Sequence, residues 1–297
     1  MKTILSVILC CLSFLSFAQN TECDSLFSRS IALYNDEEID SSLSYWLQIV
    51  HTFSDTSSCY KNSLHNIPLV YEQLEDFENA KLWITKILEK DLNNFDPGTG
   101  IMEPYANYHH NACMQMARIL SKEKKYEEGL NYLLWAETKY PYETFSATSF
   151  EKRAVSIAMW KAEFYLENNQ KEKAIWVLVN KAIDVDVFFR KPDWGGFTSV
   201  DFYSRISQRA LDLIDEVYGF DSFKEAFNEA LQKVKTERAF IEKNGKQTKA
   251  KIGMFILYGN SYRLGSSDKK FNAAKFKKQI QNTRFWTMLK EKESAKS

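Results

Sequence analysis

The sequence predicts an all-α fold, a solenoid of about five to six helical hairpins, and three observations carry that expectation. Segments with apolar residues at three- and four-residue spacing recur in pairs along most of the chain. Short polar stretches separate the two members of each pair. Only ten Gly and five Pro occur in 297 residues, too few for an all-β chain of many tight turns or for a disordered one.

The chain opens on a different pattern. Met1-Lys2-Thr3 is a short basic head, Ile4 to Leu15 is an apolar run, and Ser16-Phe17-Ala18 places small residues either side of Phe17. That is the pattern of a secretory signal peptide, here residues 1–18, cut so that Gln19 becomes the first residue. The run is shorter than the roughly 20 residues that span a bilayer, and Ile252 to Tyr258, the longest later apolar run, is shorter still. Cys10 and Cys11 sit inside the apolar run rather than at its end, which disfavours a lipid anchor. An exported chain is therefore expected, periplasmic or extracellular and not membrane-spanning.

In the exported chain Cys23, Cys59 and Cys113 remain, an odd number for an oxidising compartment. Cys23 and Cys59 lie 36 residues apart, each near the start of the first helix of a hairpin. Neighbouring first helices would bring them together, so a disulfide and two separate thiols both remain open.

The first hairpin joins Cys23 to Tyr34 with Ile39 to Val50 through the polar Asn35 to Glu38. The second joins Tyr60 to Leu74, where Pro68 should kink the helix, with Phe77 to Leu88. A loop containing Asp96-Pro97-Gly98-Thr99-Gly100 follows, and Pro104 is expected in the first turn of the next helix. The central hairpin runs from Tyr105 to Pro141 and the fourth from Phe150 to Ile183. A connector then carries Arg190-Lys191-Pro192-Asp193-Trp194-Gly195-Gly196. The fifth hairpin takes Asp201 to Tyr218 and Asp221 to Lys243. Asn244-Gly245 is read as a helix stop, although the same dipeptide suits a β-hairpin turn. A last pair, Ile252 to Leu264 and Asp268 to Leu289, completes the array, with a strand over Ile252 to Tyr258 as the alternative. The domain division expected is 19–245 for the repeats and 246–297 for a basic helical cap.

Within the central hairpin, Ala117 and Leu120 close the first segment, Tyr126 stands at the turn, and Gly129, Leu133 and Ala136 line the second before Pro141. This resembles the tetratricopeptide repeat pattern W-x2-L-G-x2-Y, A-x3-F, P, with Cys113 and Met116 at the Trp and Leu positions. Ile39, Phe77, Tyr126 and Lys171 start the second helices at separations of 38, 49 and 45, against a family period of about 34. The resemblance implies a right-handed solenoid with a groove lined by first helices that holds a partner protein or peptide. It would draw on Asn62, His65, Asn111, Met114, Arg118, Ser156, Met159 and Glu163.

Charge is segregated beneath an overall balance of 39 against 39. From Gln19 to Gln232 there are 21 Lys and Arg against 34 Asp and Glu, and from Lys233 to Ser297 there are 17 against 5. The basic end suits an electrostatic contact with an acidic surface, a phosphate-rich polymer or a membrane, or closure onto the chain's own acidic half, or simply a solvated face.

Chemistry-bearing patterns are sparse. His109, His110 and Cys113 offer nitrogen and sulfur donors at one-turn spacing, weak candidates for zinc, with core packing as the default. No G-x-S-x-G, H-E-x-x-H or G-x-x-x-x-G-K-[ST] occurs. Trp46, Trp83, Trp135, Trp160 and Trp176 read as core, whereas Trp194 in its Gly-rich connector is a contact candidate. The expected function is an exported, non-enzymatic protein-interaction scaffold without a cofactor and without a nucleic-acid partner. The alternatives are a zinc-dependent or glycan-active envelope enzyme, and an accessory subunit of an outer-membrane uptake or secretion assembly.

Overall fold

The computed structural model describes residues 21–92, 94–95, 104–188, 200–243, 246–264 and 272–294. The signal-peptide segment, the Asp96 to Gly100 loop, the connector with Trp194, the Asn244-Gly245 dipeptide and Phe271 lie outside the described residues. The chain divides into two compact units, Met1–Phe145 and Ser146–Ser297, each built around its own apolar cluster.

The first unit is a run of helical hairpins: α1 (residues 21–35) with α2 (Ile39–Thr52), α3 (Ser58–Gln73) with α4 (Phe77–Glu89), and α5 (Tyr108–Lys122) with α6 (Tyr126–Thr138). Each helix turns its apolar stripe to the same core. Trp46 and Ile49 come from α2, Leu64 and Ile67 from α3, Ile84 and Ile87 from α4, and Ile119 and Leu120 from α5. Burying one such side chain contributes about 1.5–3 kcal/mol. Cys23 on α1 is joined by a disulfide to Cys59 on α3, with Cα atoms 6.0 Å apart.

One turn closes four of the hairpins. Glu38 N–H donates to the Leu33 carbonyl (2.9 Å) and Glu37 N–H to that of Tyr34 (3.2 Å). The same two bonds recur as Asp76 to Tyr71 and Glu75 to Glu72, as Lys125 to Leu120 and Lys124 to Ser121, and as Gln170 to Tyr165 and Asn169 to Leu166. This is the Schellman arrangement, which satisfies the last carbonyls of a helix and requires a left-handed residue. That residue is Glu37 (φ 64), Glu75 (φ 59), Lys124 (φ 60) and Asn169 (φ 56) in turn. The left-handed conformation costs a side chain about 1–2 kcal/mol, whereas glycine's extra chain entropy costs about 0.5–1 kcal/mol. Glu37→Gly, Glu75→Gly and Lys124→Gly are therefore each expected to stabilise the fold by roughly 0.5 kcal/mol or more. An upward shift of the urea midpoint in the triple variant checks this.

Two local expectations, for Pro104 and for Trp135, are corrected. Pro104 is not in a first helical turn: α5 starts at Tyr108 behind Asn107, and Pro104 belongs to the connector. Asn107 holds the helix start in place, adopting φ 53 while its buried amide donates to the Tyr105 and Glu143 carbonyls and accepts from Glu143 N–H. Helix α3 runs through the buried Pro68. Of the tryptophans read as core, Trp46 and Trp83 are buried, but Trp135 is exposed on α6.

The second unit starts with α7 (Ala147–Glu167) and α8 (Lys171–Phe188), followed by α9 (Val200–Val217) and α10 (Phe220–Gln232). Here the helices expected over the end of Asp221 to Lys243 and over Ile252 to Leu264 are replaced by strands, as the alternative for Ile252 to Tyr258 had it. Helix α10 stops at Gln232, and β1 (Lys235–Lys243), β2 (Lys246–Leu257) and β3 (Asn260–Leu264) form an antiparallel sheet in the order β1-β2-β3. The register pairs Lys243 with Lys246 and Leu257 with Asn260. Tyr258 (φ 49) and Gly259 (φ 77) connect β2 to β3, and two successive positive φ angles are those of the type I′ turn that suits strand twist. Along β2 the faces alternate: Phe255 and Leu257 are buried and Ile256 is 57% exposed. The ring of Tyr262 stacks on Phe255 at 4.9 Å, and the Trp176 indole donates to the Ser261 carbonyl at 3.0 Å.

Helices α11 (Ala273–Gln281) and α12 (Arg284–Ser294) replace the single helix expected over Asp268 to Leu289. Thr283 makes the break, its hydroxyl donating to the Ile280 carbonyl and accepting from Trp286 N–H. Phe276, Ile280, Phe285, Trp286 and Leu289 join Phe223 and Phe227 of α10 in the core. No helix among the described residues is long and apolar enough to cross a membrane.

Candidate functional site

The residues expected to line a partner-binding face fall into two groups, one in each unit. In the first unit they lie along the seam between the first helices α3 and α5, which pack against each other. The Tyr108 hydroxyl donates to Asn62 Oδ1 (2.8 Å), and the Asn111 amide donates to the Ala106 carbonyl (3.2 Å). His65 meets the Tyr108 ring edge-on at 6.0 Å. Burial lowers its pKa to about 4, so its ring is neutral near pH 7. Its Nδ1 is buried without a partner. Met114 is buried rather than presented.

Arg118 closes the strip through a partner that sequence reading did not find. Its Nε and Nη2 each lie 2.6 Å from a carboxylate oxygen of Glu72, and Lys122 Nζ is 3.1 Å from the same carboxylate. The Glu72 side chain is only 6% exposed, while those of Arg118 and Lys122 are 43% and 46% exposed. Burial pushes the Glu72 carboxyl up, but hydrogen bonds and charge from Arg118 and Lys122 outweigh it and hold the pKa below its ordinary value. Gln115 donates weakly to Glu72 (3.4 Å), and its own Oε1 is buried without a partner.

The second unit repeats the central element of this arrangement. Arg209 on α9 reaches Glu163 on α7 with Nε and Nη2 at 3.1 and 3.3 Å. The sequence separation is 46 residues for Glu72 and Arg118, for Asn62 and Tyr108, and for Glu163 and Arg209. A shared separation means that first helices meet in the same register in both units. Ser156 turns its hydroxyl back to the Lys152 carbonyl, and Met159 packs half-buried against the core. Glu72, Gln115, Lys122 and Arg209 are the residues that sequence reading missed. For Glu72 and Arg209 the only signal was the 46-residue offset from the opposite charges Arg118 and Glu163.

The His109, His110 and Cys113 set is dispersed. Each imidazole faces carbonyl oxygens and must donate to them: His109 Nε2 to Lys90 (2.8 Å), and His110 Nδ1 to Ala136 and Tyr140 (3.1 and 3.0 Å). His109 also stacks on Tyr140 at 4.8 Å. Cys113 is a buried free thiol whose pKa burial raises to about 12, far from the thiolate that a metal requires. Among the described residues no group of three or more His, Cys, Asp or Glu is placed to hold a metal ion.

No family model matches the chain, and no curated protein matches it. Among solved structures it is similar to a putative kinesin light chain of Podosopora anserina with nearly identical TPR-like repeats, at 14% identity, a TM-score of 0.42 and coverage of 67% of this chain and 94% of that one. A substituted form of the same protein matches with the same figures. A double mutant described as MamA RS-1 ArsTM matches at 13% identity and a TM-score of 0.38, covering 65% of this chain and 95% of that one. The shared turn of the helical hairpins and the common register of their first helices are features of this chain's own geometry.

Proposed function

We propose that the chain is an exported, non-enzymatic interaction module that takes a partner protein or peptide on its first-helix faces. The observation that carries this reading is the strip between α3 and α5. Its Gln115 Oε1 and His65 Nδ1 are buried polar atoms without a partner, and buried polar groups are nearly always hydrogen-bonded. Beside them the Arg118 and Lys122 side chains are partly exposed donors, and exposed donors on a first-helix face suit a partner that brings carbonyl or carboxylate oxygens.

Export is supported by the Met1 to Ala18 pattern and by the Cys23–Cys59 disulfide, a bond that persists in oxidising compartments. Photo-crosslinking residues placed at His65 and Asn111 are expected to trap a partner in the native cell envelope. The same residue at Leu82, which is 51% exposed on α4, is expected to trap none.

A further inference from the structure

We propose that the free edge of β1 pairs with the same edge of a second copy of this chain, antiparallel and across a two-fold axis at Phe240. The sheet has two outer strands, β1 and β3. The β3 side lies against α8, whose Trp176 indole donates to the Ser261 carbonyl. β1 is paired with β2 on one side, and among the described residues no strand pairs with its other side. An unpaired edge presents a row of backbone N–H and C=O groups that another strand can complete.

β1 has the length and regularity that such pairing needs. It runs for nine residues, Lys235 to Lys243, against a usual strand length of about 5–6. Its register with β2 advances one residue at a time from Lys235 opposite Met254 to Lys243 opposite Lys246. No bulge therefore twists the edge away, and no Pro interrupts it.

The order of charges along β1 decides which strand it accepts. The strand reads Lys235-Thr236-Glu237-Arg238-Ala239-Phe240-Ile241-Glu242-Lys243, and charged residues on an edge ordinarily turn other strands away. They cease to do so when the incoming strand carries the opposite sign at each of them. The backbone groups that leave one edge belong to alternate residues, and the set is the same in both copies, so a symmetric antiparallel pairing is centred on a residue. Centred on Phe240, it sets Glu237 opposite Lys243 and Arg238 opposite Glu242, each twice by symmetry. Centred one residue away on Ala239, it sets Lys235 opposite Lys243, and centred on Ile241 it brings no opposite charges together. Centring on Arg238 or on Glu242 places like charges opposite each other on the axis itself. Opposite charges directly across antiparallel strands stabilise the pair and like charges destabilise it, so the register at Phe240 is selected. Two three-stranded sheets then become one sheet of six strands.

The contact belongs to the second unit and is independent of the first-helix faces. Sedimentation equilibrium of the purified chain is expected to show monomer and dimer in exchange. Arg238→Glu places a carboxylate opposite Glu242 at both symmetric positions and should weaken dimerisation by about tenfold or more, with an unchanged circular dichroism spectrum. Adding Glu242→Arg restores opposite signs and should recover the native constant. In an otherwise native chain, Phe240→Cys should give a disulfide-linked dimer on oxidation, because directly opposed residues have Cα atoms about 4.5–5.5 Å apart, within reach of a disulfide. Lys235→Cys, held away from its own copy by the antiparallel register, should not. A monomer at every concentration, a dimer indifferent to Arg238→Glu, a double variant no better than the single one, or crosslinking as complete at Lys235 as at Phe240 would overturn the proposal.

Discussion

Reduction of the Cys23–Cys59 disulfide is expected to cost the first unit roughly 4 kcal/mol. The bond closes a loop of 36 residues, and on the chain-entropy account a cross-link of that span limits the unfolded ensemble by about this amount. Both sulfurs belong to buried residues, Cys23 at 0% and Cys59 at 4% exposure, so the bridge also fastens the outermost helix α1 to α3. The check is urea unfolding with and without a thiol reductant. The oxidised chain should show a higher midpoint, and a double Cys23→Ser, Cys59→Ser variant should match the reduced chain and ignore the reductant. Identical midpoints for the oxidised and reduced chain would show that α1 is held by packing alone.

Replacing Arg118 with Met is expected to destabilise the first unit by roughly 2 kcal/mol at pH 7. Removing one partner of a fully buried ion pair typically costs about 3–5 kcal/mol. The cost here is smaller because Arg118 is 43% exposed, so solvent screens the pair, and because Lys122 remains 3.1 Å from Glu72. Adding Glu72→Gln to the variant should recover most of the loss, since the charge itself is then gone.

The sign with pH follows from the carboxyl. In the native chain its pKa is depressed, so its contribution is present above the unfolded value of about 4.3 and is lost as pH falls through the lower folded value. In the Arg118→Met variant burial weighs more heavily and raises the folded pKa, so acid relieves the penalty. The gap between native and variant chains should therefore narrow from pH 7 towards pH 4. A gap that is constant over this range would mean that Glu72 is not the group responsible.

The hairpins were legible because their signals are local. A polar turn followed by renewed apolar spacing marked Ile39, Phe77, Tyr126 and Lys171, and α2, α4, α6 and α8 start at those residues. The sheet was legible only as an alternative, the strand over Ile252 to Tyr258 and the hairpin turn at Asn244-Gly245. Val234 and Ile241 are seven apart, a spacing that fits a helix, and it hid the signal of Thr236, Phe240 and Ile241 ahead of Asn244-Gly245. Gly259 falls within the helix expected over Ile252 to Leu264, yet its φ of 77 serves a turn between strands.

The candidate site was legible only in outline. Arg118 and Glu163 were placed on the correct helices, but their partners Glu72 and Arg209 lie 46 residues away on a neighbouring helix. That distance depends on the lengths of a second helix and two connectors, and second-helix starts separated by 38, 49 and 45 residues give no fixed offset from which to compute it.

Position-resolved photo-crosslinking in the native envelope is the most direct measurement of the proposed interaction. A benzophenone side chain would be introduced at His65 or Asn111 on the first-helix strip, and at Leu82 or Leu134, exposed on the second helices α4 and α6. The account predicts one crosslinked species shared by His65 and Asn111 and absent from Leu82 and Leu134. Crosslinks confined to Leu82 and Leu134, or no crosslink at His65 and Asn111 in an exported and folded chain, would contradict it.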